Sequence, residues 1–147
     1  MTSQLPELER RRVATAATMR RFGGKPFSWR KSTTCLHLVR FQMRQMGHKP
    51  PSMPPLRSPL RARRELDARG FDSVVALMDS LLPRIVPAEM RLGDLAAIPG
   101  DGEDNDSWLD ALLVNIAPRK FAGWHPDAHL MAVLDIDLAD ITAAWRL

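Results

Sequence analysis

The spacing of apolar residues changes character along this chain at Pro83 and Pro87. Before these prolines, apolar residues recur every three or four positions, which is typical of amphipathic helices. After them, apolar residues form short runs between turn-forming residues, which is typical of strands. Helices followed by strands predict an α+β fold, with N-terminal helices packed on a small antiparallel sheet. The length of 147 residues suits one domain.

The predicted elements follow from this spacing and from capping residues and glycines. Four helices are predicted in residues 5–22, 34–46 and 58–69 and after Asp72 or Ser73. Four strands are predicted in residues 94–98, 111–117, 120–124 and 130–134, with a short turn or helix near 138–144. The proline-rich residues 48–55 predict a stiff spacer on the domain surface or, alternatively, a ligand for an aromatic groove.

The charge is divided unevenly between the two halves of the chain. Residues 1–70 carry sixteen Lys and Arg against four Asp and Glu, whereas residues 71–147 carry five against thirteen. The net charges are therefore +12 and −8. In one interpretation, the basic half binds nucleic acid or another polyanion. In the other, the two halves attract each other, or basic faces meet acidic neighbours in an assembly. The sequence lacks zinc-finger spacing, RNA-binding aromatic motifs and any Tyr, so nucleic acid is not the expected partner.

Five arginines crowd the polar face of the first predicted helix: Arg10, Arg11, Arg12, Arg20 and Arg21. We expect residues 1–25 to form a basic extension that projects from a domain of residues 26–147 and binds another chain. Trp108 adjoins an acidic loop, so we expect it to be exposed or to contact a partner. The other tryptophans flank core elements and are expected to be largely buried: Trp29, Trp124 and Trp145.

Compartment signals are few. The chain has no apolar run of about eighteen residues and no basic start followed by an apolar core, so neither a membrane span nor a secretory signal is expected. The one cysteine, Cys35, has no partner for an internal disulfide. A reducing compartment such as the bacterial cytosol fits this composition.

Cys35 is the candidate nucleophile. It stands in the first turn of a predicted helix, where unpaired N–H groups and the helix dipole favour a thiolate. Alternatively, it is a small buried residue on the apolar stripe that includes Val39 and Met43. The histidines are not evidently placed to serve as its base: His37, His48, His125 and His129.

No cofactor is expected from the motifs. The chain contains no glycine-rich phosphate loop. His125, Asp127 and His129 alternate, but the acidic loop of residues 100–106 lacks the order of a calcium-binding loop. The sequence therefore predicts neither a metal site nor another bound cofactor.

Several segments form an ordered series: Pro26-Phe27-Ser28-Trp29, Cys35 at a helix start, Met46-Gly47-His48-Lys49-Pro50, Gly70-Phe71-Asp72-Ser73, Leu81-Leu82-Pro83-Arg84-Ile85, Arg91-Leu92-Gly93-Asp94-Leu95-Ala96, Gly123-Trp124-His125 and Ala143-Ala144-Trp145-Arg146. Over about residues 26–147 the series resembles a family of small proteins encoded among the tail genes of bacteriophages and prophages. That family is similar to the NlpC-type, papain-like cysteine peptidases.

The resemblance implies a peptidase scaffold that has lost its activity. In the peptidases an Asp precedes the nucleophile, and here that residue is Thr34. The strand that begins with the catalytic His corresponds to residues 111–116, so Ala111 or Asp110 stands where that His would be. Alanine accepts no proton, and a carboxylate opposes a neighbouring thiolate. Cys35 is therefore expected to be inert.

Two functions follow as hypotheses from the resemblance. The first is a structural or assembly protein of a phage tail, at the tail tip or adaptor region, made in the host cytoplasm and incorporated into the virion. Its partners would be other tail proteins, with several copies in the assembly. The alternative is a tail-associated cysteine peptidase or amidase that opens peptidoglycan during DNA entry, which needs His125 or His129 to approach Cys35.

Overall fold

The computed structural model describes residues 5–100, 109–125 and 128–147. Helices come first in this part of the chain and strands follow, which confirms the α+β prediction. The helices are α1 (Glu7–Phe22), α2 (Cys35–Gln45), α3 (Pro59–Ala68) and α4 (Val74–Leu81). The strands are β1 (Arg84–Ile85), β2 (Leu95–Ile98), β3 (Ala111–Ala117), β4 (Lys120–His125), β5 (Ala128–Asp135) and β6 (Ala143–Trp145).

Side-chain caps fix where three helices begin. The hydroxyl groups of Thr34, Ser58 and Ser73 accept backbone N–H groups in the first turns of α2, α3 and α4. These bonds satisfy donors that a helix leaves unpaired at its N-terminus. Gly47 and Gly70 follow α2 and α3 with φ of 88° and 82°, a conformation that glycine adopts without steric cost. The predicted boundaries of these helices are therefore nearly right.

The strands form one antiparallel sheet in the order β1-β6-β2-β3-β4-β5. Strands β2 to β5 lie where the sequence predicts them. The sequence did not predict β1 and β6, because strands of two and three residues are too short to show an alternating pattern. A short 3₁₀ turn at Leu138–Asp140 precedes β6, so only the turn at this end of the chain was predicted.

The two faces of the sheet are buried by different parts of the chain. The face that carries Leu95, Leu112 and Val114 packs against α2, through residues such as Leu38 and Val39. The opposite face carries a smaller cluster, completed by the segment between β5 and β6: Ala96, Ile98, Leu113, Phe121, Ile136 and Ile141. The predicted packing of the sheet on the helix of Cys35 is therefore confirmed.

Helix α1 packs against α2 and does not project from the domain, so that prediction is wrong. Thr18 of α1 donates a hydrogen bond to Gln42 Oε1 at 2.5 Å, and Gln42 Nε2 donates to Thr15 at 3.2 Å. All three side chains are buried. Small polar residues therefore form the face of α1 that packs against α2. The arginine-rich pattern of this helix did not indicate that it has a buried face.

The tryptophans follow the prediction in part. Trp124 and Trp145 are buried, whereas Trp29 is only half-buried. Trp108 lies outside the described residues, so its exposure stays a prediction. Across the helices that the structure describes, none has the length and apolar character that crossing a membrane requires.

Candidate functional site

Cys35 is the first residue of α2, as the sequence predicts. Thr34 precedes it in an extended conformation and is fully buried. Its hydroxyl accepts the backbone N–H of His37 at 3.4 Å and lies 2.7 Å from His37 Nδ1. Thr34 therefore caps the helix. Both the backbone N–H and the ring Nδ1 of His37 interact with its hydroxyl. Burial, followed by the nearby charge of Arg40, lowers the pKa of His37.

The surroundings of Cys35 oppose ionisation of its thiol. The residue is 5% exposed, and burial raises the pKa of the thiol. The backbone N–H groups of Leu112, Cys35 and Leu36 act in the opposite direction but do not outweigh burial. In the described part of the chain, no histidine contributes to lowering this pKa. A nucleophilic cysteine needs a depressed pKa, and burial acts in the opposite direction here.

The start of β3 lies near the cysteine, since Cys35 and Ala111 line the same cavity and the Leu112 N–H lowers the pKa of the thiol. Ala111 is the first residue of that strand. Its side chain offers no proton acceptor. This is the position at which the resemblance implies that the histidine is lost.

A cavity of about 370 Å³ opens beside Cys35. Its walls come from the segment before α2, the loop ends that flank β2 and β3, and the β4–β5 hairpin. The lining residues are Pro26, Phe27, Cys35, Pro99, Gly100, Leu109, Asp110, Ala111, Trp124, His125 and His129. Cavities of this size accommodate small ligands or single side chains of a partner.

His125 and His129 line the same cavity as Cys35, which the sequence did not predict. His125 ends β4 and is half-buried, whereas His129 lies near the start of β5 and is exposed. Because β3 and β4 are adjacent and antiparallel, the last residue of β4 and the first residue of β3 lie at the same end of the sheet. Only the peptidase alternative required a histidine to approach Cys35, because no order of the strands was predicted.

Asp110 is the acidic residue in the lining of the cavity. Removal from water raises its pKa, which the N–H of Gly100 and then the Thr142 hydroxyl oppose. The sequence argument considered Asp110 only as a replacement for the peptidase histidine, not as a binding group. No set of three or more His, Cys, Asp or Glu side chains in the described residues is arranged to hold a metal ion.

Four of the five arginines proposed as a partner-binding surface are exposed: Arg10, Arg12, Arg20 and Arg21. Arg11 is not. It is 3% exposed and donates to Asp94 Oδ1 at 2.8 Å, to the Leu92 carbonyl at 2.9 Å and to the Leu147 carbonyl at 2.6 Å. Its assignment to the binding surface is therefore wrong, because its position on α1 faces a buried carboxylate that needs a counter-charge.

The proline-rich connector lies on the domain surface. Arg40 donates to the Pro51 carbonyl at 2.5 Å, and Arg69 donates to the Ser52 carbonyl at 2.7 Å. Met53 packs against the main core. These contacts agree with the prediction of a spacer held against the surface.

The fold and the cavity define an α+β domain with a buried cysteine at the start of a helix packed on an antiparallel sheet. A family model described as "Domain of unknown function (DUF6950)" matches residues 6–147, so the chain belongs to that family. The match includes α1, which agrees with the packing of this helix into the domain. No curated protein matches the sequence significantly.

Proposed function

We propose that the protein is a structural or assembly component of a bacteriophage tail, at the tail tip or adaptor region, built on an inactive cysteine-peptidase-like scaffold. The observation that carries this proposal is the environment of Cys35. The thiol is buried, which raises its pKa, and Ala111 lines the same cavity as Cys35. The tail setting comes from the resemblance of residues 26–147 to proteins encoded among phage tail genes.

The helix terminus alone does not activate the cysteine. A helix dipole stabilises an anion by about 0.3–1 kcal/mol at exposed sites, which is roughly half a pKa unit. Activated thiolates need a shift of several units, which an adjacent cation or histidine normally supplies. Burial acts against ionisation here. The scaffold therefore supports binding better than catalysis.

The exposed arginines of α1 supply a surface for an acidic tail partner. Arg10, Arg12, Arg20 and Arg21 face solvent, while the opposite side of the helix packs on the domain. A surface charge of one sign steers association with a partner of the other sign. We place the protein in the virion tail after its synthesis in the host cytoplasm, in several copies.

The experiment tests incorporation into particles. Mass spectrometry of purified particles should detect the protein, and Cys35→Ser should be incorporated as efficiently as the wild type. The combined change of Arg10, Arg20 and Arg21 to Glu should reduce incorporation. The matched control changes Arg57, Arg61 and Arg64 to Glu, since these are also exposed arginines, in and next to α3. Absence of the protein from particles would refute the tail role.

The alternative function is a tail-associated cysteine peptidase or amidase. The observation in its favour is that His125 and His129 line the same cavity as Cys35. This alternative predicts that the purified protein cleaves peptidoglycan peptides and that Cys35→Ser and one of His125→Ala or His129→Ala abolish the cleavage. The structural proposal predicts no cleavage by the wild type.

A further inference from the structure

Among the residues that the structure describes, the carboxylate of Asp110 has a hydrogen-bond partner but no ion pair. The Thr142 hydroxyl lies 3.4 Å from Asp110 Oδ2 but only 3.1 Å from the Ala97 carbonyl. A hydroxyl has one proton to donate, so the Ala97 carbonyl and the Asp110 carboxylate compete for it. The N–H of Gly100 and the Thr142 hydroxyl both lower the pKa of Asp110 but do not outweigh burial. No lysine or arginine in the described ranges forms an ion pair with Asp110 or lowers the pKa of its carboxyl.

Aromatic rings form another wall of the same cavity. Phe27 and Trp124 meet edge to face, with ring centroids 5.7 Å apart. Phe27 is 41% exposed, although it is a large apolar residue. The indole N–H of Trp124 donates to the Lys25 carbonyl at 2.8 Å, which fixes the orientation of that ring. Aromatic faces attract cations, and they also pack against the methylene groups of long cationic side chains.

We propose that this cavity binds a lysine or arginine side chain of a partner polypeptide, with Asp110 as its counter-ion and Phe27 and Trp124 as its aromatic walls. The volume of about 370 Å³ is sufficient for a long side chain. A bound cation would give the carboxylate a charged partner, which no described lysine or arginine supplies. The inference rests on the proposed function only for the identity of the partner as another tail protein.

The other titratable groups of the cavity set the conditions of the test. Cys35, His125 and His129 also line it. A histidinium would repel a cationic ligand, and an oxidised thiol would change the lining of the cavity. Binding is therefore measured at a mildly alkaline pH with a reducing agent present.

The experiment uses Nα-acetyl-lysine amide and Nα-acetyl-arginine amide as probes. The neutral control ligand is Nα-acetyl-norleucine amide, which has the four-carbon chain of lysine without the ammonium group. Binding is followed by NMR through the indole N–H signal of Trp124. We expect at least one cationic probe to bind about tenfold or more tightly than norleucine, because a charge-assisted hydrogen bond forms only with the cation. Equal binding of all three probes would overturn the proposal.

Asp110→Asn keeps the shape of the side chain and removes its charge, so it should weaken cation binding about tenfold or more. The matched control is Asp140→Asn, a carboxylate that is exposed and outside the cavity lining. If Asp110→Asn unfolds the protein, Phe27→Leu provides the second test and should weaken binding several-fold. The proposal would be overturned if a folded Asp110→Asn variant bound the cationic probes as tightly as the wild type. If Asp110→Asn does not fold, unchanged cation binding by Phe27→Leu would overturn it.

The binding measurement tests the cavity site, and the particle measurement tests the tail role, so either proposal can be refuted without the other. Asp110-dependent binding by a protein that is absent from particles would keep this site and refute the tail role. A protein that is present in particles but binds no cationic probe would keep the tail role and refute this site.

Discussion

Arg11 and Asp94 form a buried ion pair, with Arg11 Nη1 2.8 Å from Asp94 Oδ1, although 83 residues separate them in the chain. Asp94 is fully buried and also accepts the backbone N–H groups of Arg91 and Leu147. Arg11 in turn donates to the Leu147 carbonyl. This network joins α1, the residue before β2 and the second residue after β6, so it connects elements from both ends of the fold.

Arg11→Ala should lower the free energy of unfolding by about 3 kcal/mol or more, because it leaves a buried carboxylate without its main counter-charge. Arg146 Nε remains 3.3 Å from Asp94 Oδ2 and compensates in part. The control is Arg12→Ala, an exposed arginine paired with Glu9, which should change stability by about 0.5 kcal/mol or less. Urea denaturation measures both variants, and equal effects would contradict a structural role for Arg11.

Deletion of residues 1–22 should prevent the domain from folding. The deletion removes Arg11 from Asp94 and removes Thr15 and Thr18 from Gln42, so several buried polar groups lose their partners. Circular dichroism and size-exclusion chromatography measure the result. A truncated chain that keeps its cooperative unfolding transition would show that α1 is a separable extension.

The distribution of charge explains why the sequence misplaced α1. The pattern of five arginines indicated a solvent-exposed helix, and four of these residues are indeed exposed. The buried face consists of Arg11, Ala14, Thr15, Thr18 and Phe22, which contains few of the large apolar residues that mark a core helix. Only the partner carboxylate, far away in sequence, makes Arg11 a core residue. Local periodicity carries no information about such a partner.

Gly93→Ala should destabilise the protein more than Gly70→Ala. Both glycines have positive φ, of 88° and 82°, so both alanines carry a backbone cost of about 1–2 kcal/mol. At Gly93 the new Cβ would also lie 2.9 Å from Gln42 Nε2 and 3.0 Å from Thr15 Oγ1, whereas at Gly70 nothing lies within 4 Å. We expect Gly93→Ala to lower the free energy of unfolding by about 3 kcal/mol, from the backbone cost and disturbed buried hydrogen bonds. We expect Gly70→Ala to lower it by about 1 kcal/mol, from the backbone cost alone. Equal losses in thermal or urea unfolding would show that the Gln42 network tolerates the methyl group.

The stability of the fold should fall at alkaline pH in a way that depends on Cys35. Burial raises the pKa of this thiol in the folded state, so the folded protein retains its proton where the unfolded chain has lost it. The contribution of the buried thiol to the free energy of unfolding is fully present below the pKa of the thiol in the unfolded chain, about 8.5. It is lost as the pH rises through the pKa of the thiol in the folded protein. The stability difference between the wild type and Cys35→Ala should therefore shrink with rising pH. A constant difference would contradict the raised pKa.

The sequence predicted most of the fold because its elements are bounded by local signals. Thr34, Ser73 and Gly47 mark helix ends through contacts within a few residues. The cavity was less predictable, because its chemistry comes from residues on separate strands. Cys35, Asp110 and His125 become neighbours only through the antiparallel order of β3 and β4 and the packing of α2 on the sheet.

The pH dependence of Cys35 alkylation tests the central claim most directly, since the chain has one cysteine and mass spectrometry reports its modification without ambiguity. The account predicts that the rate of reaction with iodoacetamide in the folded protein is low at neutral pH and still rising above about pH 9, beyond the titration of the urea-unfolded chain near 8.5. His125→Ala and His129→Ala should leave this profile unchanged. A reactive thiolate already present below pH 7, and lost on replacement of either histidine, would contradict the account and establish an activated nucleophile.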